Sequence, residues 1–128
     1  MDVSADKDAL VNEIGRLIAE DHRTNARPWQ AYALIVAYDG NMRRFNGFAY
    51  DGDGGYAAAT PTPEPLGDAL DALREATRIH GKAPWNACVV RLVRDTRRLT
   101  LEFEYEDPER WDITPQTLDA VAERARPA

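Results

Sequence analysis

Apolar and polar positions alternate strictly from residue 99 to residue 106. Leu99, Leu101, Phe103 and Tyr105 share one face, and Thr100, Glu102, Glu104 and Glu106 the other, because strand side chains alternate with period two. The apolar run before it, residues 85–93, reads as the partner strand of a hairpin that turns at Arg94-Asp95-Thr96-Arg97-Arg98. A second hairpin lies upstream. Its first strand, residues 29–38, is apolar on both faces at Ala33-Leu34-Ile35-Val36-Ala37, the mark of a central strand covered on each side. Asp39-Gly40-Asn41 supplies the turn, and residues 42–50 return with Phe45, Phe48 and Tyr50 as large side chains. Gly47 in that strand points to a bulge or a close approach. Residues 56–60 are a candidate fifth strand.

Three segments carry the helical period instead. Leu10, Ile14, Leu17 and Ile18 form one stripe, with Val11 at its edge. Ser4 or Asp6 is placed to cap that helix, and Gly15 suggests close packing at its middle. Leu66, Leu70, Leu73 and Thr77 make the face of a second helix, with Thr62 as N-cap, Pro63 at N1 and Gly81 at its end. A third begins at Thr114 and Pro115, with Leu118, Val121 and Ala122 turned inward. The order is αββαββα. It predicts an α+β fold, a mostly antiparallel four- to five-stranded sheet packed with helices on one side, as a single domain over residues 1–128.

Charge and cysteine content narrow the possibilities. The formal net charge is −6 and the pI about 4.9, which opposes nucleic acid or an anionic membrane as partner. It favours association with something basic. Cys88 is the only cysteine, so neither an intrachain disulfide nor a cysteine-based zinc cluster is expected, and its apolar strand marks it as a small core residue. The first residues have no basic segment followed by an apolar one, so no signal peptide is expected. No apolar run approaches the ~20 residues of a membrane span, and a cytoplasmic protein is the simplest expectation.

Catalytic and metal constellations are not evident. His22 and His80 fall at helix ends, without metal-ligand spacing to a second histidine or to Cys88. Asp51-Gly52-Asp53-Gly54-Gly55 has the acidic, glycine-rich start of a calcium loop, but glycine and tyrosine stand at the following key positions and Thr62 where a bidentate Glu belongs. It reads as a turn. No phosphate loop, dinucleotide fingerprint or nucleophile elbow is present, so neither enzyme activity nor a cofactor is expected. The chain's distinctive chemistry is acidic. Glu102, Glu104 and Glu106 stand about 7 Å apart along a strand face, and Asp107, Glu109 and Asp112 carry the charge onward beside Trp111. Arg91, Arg94, Arg97 and Arg98 are candidates to pair with this row across the hairpin. Glu102, Glu104, Glu106, Asp107, Glu109, Trp111 and Asp112, with Asp51 and Asp53 in the glycine-rich loop, are the candidate partner-binding positions.

The aromatic landmarks resemble those of the YezG-type immunity proteins, small antitoxins of polymorphic and contact-dependent growth inhibition systems. The matching pieces are Trp29-Gln30-Ala31-Tyr32, Phe48-Ala49-Tyr50-Asp51, Trp85-Asn86-Ala87-Cys88, Phe103-Glu104-Tyr105-Glu106-Asp107 and Arg110-Trp111-Asp112-Ile113-Thr114-Pro115. The resemblance spans nearly the whole chain. It implies a monomer or weak homodimer that binds one cognate toxin domain, often a nuclease, and occludes its active site. An ordered carboxylate row would then mimic phosphates in a basic substrate groove. The competing reading is a small acidic secretion chaperone of the type III class, marked by obligate dimerisation and apolar grooves for an extended effector segment.

Overall fold

The computed structural model describes residues 3–26, 28–40, 42–79 and 81–127. The side chains of residues 3–6 and of Pro108 lie outside that description. The capping role of Ser4 or Asp6, His80 at the end of the second helix and Asn41 in the first hairpin turn therefore fall outside the described residues.

The elements follow one another as α1 (Val3–Glu20), β1 (Ala31–Asp39), β2 (Met42–Tyr50), β3 (Tyr56–Ala58), α2 (Leu66–Ala76), β4 (Ala87–Val93), β5 (Arg98–Glu104) and α3 (Leu118–Ala125), with 3-10 turns at Thr24–Ala26 and Pro108–Trp111. The strands form one antiparallel sheet in the order β3-β2-β1-β4-β5. The two hairpins meet along β1 and β4, with Leu34 opposite Val90 and Val36 opposite Cys88. Both are apolar strands that can be buried on two faces.

Each face has its own core. Tyr32, Leu34, Val36, Cys88 and Val90 pack under Ile14 and Ile18 of α1 and Leu66, Leu70 and Leu73 of α2. Ala33, Ile35, Phe48, Tyr50 and Val89 pack under Trp111 and under Val121, Ala122 and Ala125 of α3. The expectation of helices on one side is therefore corrected: α1 and α2 cover one face and α3 the other. Ala125 replaces Leu118 in the buried stripe of α3, because residues 121, 122 and 125 align on one helical face. Leu118, in the first turn, is 37% exposed.

Local hydrogen bonds explain where helices begin and end. Thr62 does not cap α2. Its N–H donates to Asp21 Oδ2 at 2.9 Å, and the helix starts at Leu66, after a turn in which the Pro63 and Pro65 carbonyls accept from Gly67 and Ala69. The helix stops at Ala76, five residues before Gly81, where the Thr77 hydroxyl donates back to the Leu73 carbonyl at 2.8 Å. Thr114 does not cap α3 either, because the helix begins at Leu118 with Thr117 at its N-cap, and Thr114 closes the turn that leads into it. The Thr117 N–H donates to Thr114 Oγ1 at 3.2 Å and the Thr114 N–H to Thr117 Oγ1 at 2.8 Å, a reciprocal pair of the capping-box kind. Gly47 is a site of close approach. A Cβ there would overlap the Tyr32 hydroxyl and the Ala59 carbonyl, which are hydrogen-bonded to each other. Gly15 likewise lets α1 lie against β5, since its Cβ would stand 2.8 Å from Leu99 Cδ1.

Candidate functional site

The register places the acidic residues at one end of the sheet. Glu104 lies beside Ala87, Ala87 beside Ala37, and Ala37 beside Arg44. The chain leaves β5 here, makes the 3-10 turn Pro108–Trp111 and crosses to α3 on the face opposite α1 and α2.

The carboxylate row is internally paired. Glu102 Oε1 accepts from Arg91 Nη1 at 2.8 Å, and Arg91 is held by donating from Nε and Nη2 to the carbonyls of Ala125 and Arg124. Arg110, from the 3-10 turn, folds back onto the strand, with Nη2 3.5 Å from Glu102 Oε2 and Nη1 3.8 Å from Glu104 Oε1. Glu104 is only 15% exposed at its side chain. Its Oε2 accepts the N–H groups of Asp107 (3.2 Å) and Glu106 (3.3 Å). The Asp107 N–H foremost, then the Glu106 N–H and the Arg110 charge, hold the Glu104 carboxyl below the usual range against the opposing cost of burial. Glu104 thus shapes the following loop.

β5 ends at Glu104, so Glu106 is not the third member of a strand row and Tyr105 leaves the apolar face. Tyr105 is 45% exposed. Glu106, Asp107 and Glu109 are exposed as well, with none of their carboxylates in an ion pair among the described residues. Because Arg110 turns inward, the one basic side chain of the segment is withdrawn from them. Asp112 pairs with Arg44 at 3.2 Å. Trp111 is 2% exposed and belongs to the core under α3. The guanidinium carbons of Arg110, Arg124 and Arg91 lie 5.3, 5.8 and 6.0 Å from its ring centroid, within cation–π range.

Asp51 and Asp53 are not brought to this surface. Tyr50 pairs with Ala31, Ala31 with Val93, and Val93 with Arg98, so the Asp51 loop lies at the other end of the sheet. Asp51 Oδ1 accepts the N–H groups of Asp53 and Gly55, each at 2.9 Å, the self-bonded turn expected of Asp. Arg126 Nη2 donates to the Gly54 carbonyl at 2.8 Å, so the loop is tied down.

Sequence reasoning missed Tyr105 as a surface residue and Arg110 as the row's partner. Both depend on where β5 stops, and only the Asp107-Pro108 step hints at that. Among the described residues no group of three or more His, Cys, Asp or Glu side chains is arranged to hold a metal, and no helix is long and apolar enough to cross a membrane. Burial pushes the Cys88 thiol up, away from its reactive thiolate form. No protein-family model matches the chain, and no curated protein matches it at a significant level. The aromatic landmarks Trp29, Tyr32, Phe48, Tyr50 and Trp85 are all core residues, and so bear on the fold more directly than on function.

Proposed function

We propose that this protein is an immunity protein, which binds a toxin domain through the acidic loop of residues 105–109 and blocks its basic substrate groove. The observation that carries the reading is the disposition of charge around Arg110. The strand carboxylates Glu102 and Glu104 are neutralised from within the chain, whereas Glu106, Asp107 and Glu109 are exposed near Tyr105 with no ion pair among the described residues. A local cluster of carboxylates on a loop held by Glu104 steers a basic partner into place and raises the association rate. A half-exposed tyrosine at its start is the kind of residue that anchors such an interface. The aromatic resemblance to the YezG-type group supports the same reading.

The site is tested with a partner recovered by its biology. Tagged protein is used to co-purify its partner from the native host. A partner whose isolated domain is toxic on expression, and harmless when this chain is co-expressed, is the expected outcome. A partly unfolded effector held on an obligate dimer of this chain would replace the reading with the chaperone one. The surface is then mapped with Glu106→Lys, Asp107→Lys and Glu109→Lys combined. The triple variant should associate at least tenfold more slowly and lose protection at unchanged thermal stability, since exposed substitutions of this kind stay within about 0.5 kcal/mol. Glu102→Lys is expected to act otherwise. It strands Arg91 against the backbone carbonyls that fix it and should cost about 1–3 kcal/mol of stability, so lost protection there would not report on contact.

A further inference from the structure

A concavity of about 630 Å³ lies elsewhere, in a groove between α1 and the β4–β5 hairpin. Its floor is apolar, made by Trp29, Leu92 and Leu99, and the charged side chains that line it are all cationic: Arg16, Arg94 and Arg97. Three arginines around an apolar floor are unexpected in a chain with 22 acidic and 16 basic residues.

The three are not equivalent. Arg16 is engaged by Glu13 and Glu20 on its own helix. Arg94 has no carboxylate partner among the described residues, yet it is fixed. Its guanidinium carbon lies 3.8 Å from the Trp29 ring centroid. Its Nε donates to the Trp29 carbonyl at 3.0 Å and its Nη2 to Asn25 Oδ1 at 3.2 Å. Asn25 is anchored in turn, donating from Nδ2 to the Ala19 carbonyl at 2.7 Å and accepting the Trp29 indole N–H at 3.1 Å. The geometry leaves Arg94 Nη1 without a protein acceptor among the described residues. The Arg97 side chain has no ion pair among them either, and its backbone sits at φ 54°, the left-handed region at the hairpin turn.

We infer that this groove binds a small organic anion, with its carboxylate or phosphate on Arg94 and Arg97 and its apolar body on Leu92 and Leu99, beside the Trp29 ring that Arg94 covers. A guanidinium held in place by stacking has already lost its rotamer freedom, so it can take a planar or tetrahedral anion at low entropic cost. The volume falls in the usual range for small-molecule sites, which combine apolar walls with a few placed polar groups. The net charge of −6 selects against nucleic acid and other large polyanions. A compact anion senses chiefly the charges within about 10 Å of it. The inference is independent of the immunity reading, since it uses none of the residues of the acidic loop.

The test is a titration of ¹⁵N-labelled protein with three probes of one shape: 1-naphthoate, 1-naphthyl phosphate and the neutral 1-naphthalenemethanol. At least one anion should give saturable shifts at the Gly15, Ala19, Leu92 and Leu99 amides and at the Trp29 indole N–H. The neutral probe should bind at least tenfold more weakly. The preferred anion distinguishes a carboxylate from a phosphate ligand. Arg97→Gly removes a charge at a backbone angle that glycine adopts freely, so it should weaken the anion about three- to fivefold without lowering the thermal midpoint. Arg94→Gln should weaken it further. Equal affinity for the neutral probe, shifts outside the groove, or no saturable shift with either anion would overturn the inference.

Discussion

Tyr32 is fully buried, and its hydroxyl reaches one acceptor, the carbonyl of Ala59, because Gly47 has no side chain to stand between them. Burial, with the nearby Asp21 charge, pushes its phenol far above the ordinary value, so it remains a hydrogen-bond donor at any physiological pH. Two substitutions separate the parts of this arrangement. Tyr32→Phe removes one hydrogen bond and leaves a buried carbonyl unpaired, with an expected cost of about 1–2 kcal/mol. Gly47→Ala forces a methyl against both the hydroxyl and the backbone carbonyl, and should cost about 3 kcal/mol. Combined, they should cost less than the sum, because removing the hydroxyl relieves half of the overlap, while the carbonyl remains in the way. Urea unfolding of the four proteins at constant m-value measures this. Strict additivity would mean that the glycine serves the strand and not the tyrosine.

At the scale of elements, Asp21 joins the end of α1 to the linker that leads into α2. Its Oδ2 accepts the Thr62 N–H at 2.9 Å and its Oδ1 the Arg23 N–H at 2.7 Å. Partial burial opposes ionisation, but these N–H groups outweigh it and hold the carboxyl below its ordinary value. A depressed pKa in the folded state contributes stability that is present in full above the unfolded value, about 4, and is lost as pH falls through the folded value. Asp21→Asn should therefore cost about 1–2 kcal/mol at pH 7, and the gap between the two proteins should close below pH 4. A gap that persists to pH 2 would assign the contribution to shape and not to charge. This clamp joins residues 41 positions apart, which is why local pattern placed the α2 cap at Thr62: a threonine before a proline resembles an N-cap until its N–H is seen to be committed elsewhere. The same limit applies to α3. The double apolar pattern at residues 33–37 required cover on both faces of β1, and the structure supplies it. Nothing in the short stripe Val121, Ala122, Ala125 states which face that helix covers. The boundaries of β2 and the Thr114 turn before α3 were legible because turn chemistry is local, although α3 itself begins only at Leu118. The pairing of Glu102 with Arg91 was legible as a cross-strand candidate. The return of Arg110 and the exposure of Tyr105 were not, because both depend on the path of the chain after β5 ends.

For the molecule as a whole, the β4–β5 hairpin separates opposite charges. Arg94, Arg97 and Arg98 cluster at its turn, and Glu104, Glu106, Asp107 and Glu109 at its open end, about 20 Å away by the rise of seven strand residues. A net charge of −6 describes neither end. If association with a basic partner is steered by the acidic end, the ionic-strength dependence of its rate must follow the position of charge and not the total. Two variants of equal net charge decide this. Glu106→Gln, Asp107→Asn and Glu109→Gln remove three negative charges from the loop, and Asp8→Asn, Asp68→Asn and Glu75→Gln remove three from exposed positions on α1 and α2. Each set takes the net charge from −6 to −3. Stopped-flow association with the cognate domain between about 20 and 300 mM salt, a range over which screening changes several-fold, should show a shallow slope for the loop set and a near-parental slope for the helix set. Equal slopes would mean that the molecule is attracted as a diffuse anion, and the docking surface would then have to be sought by its apolar contacts, beginning with Tyr105.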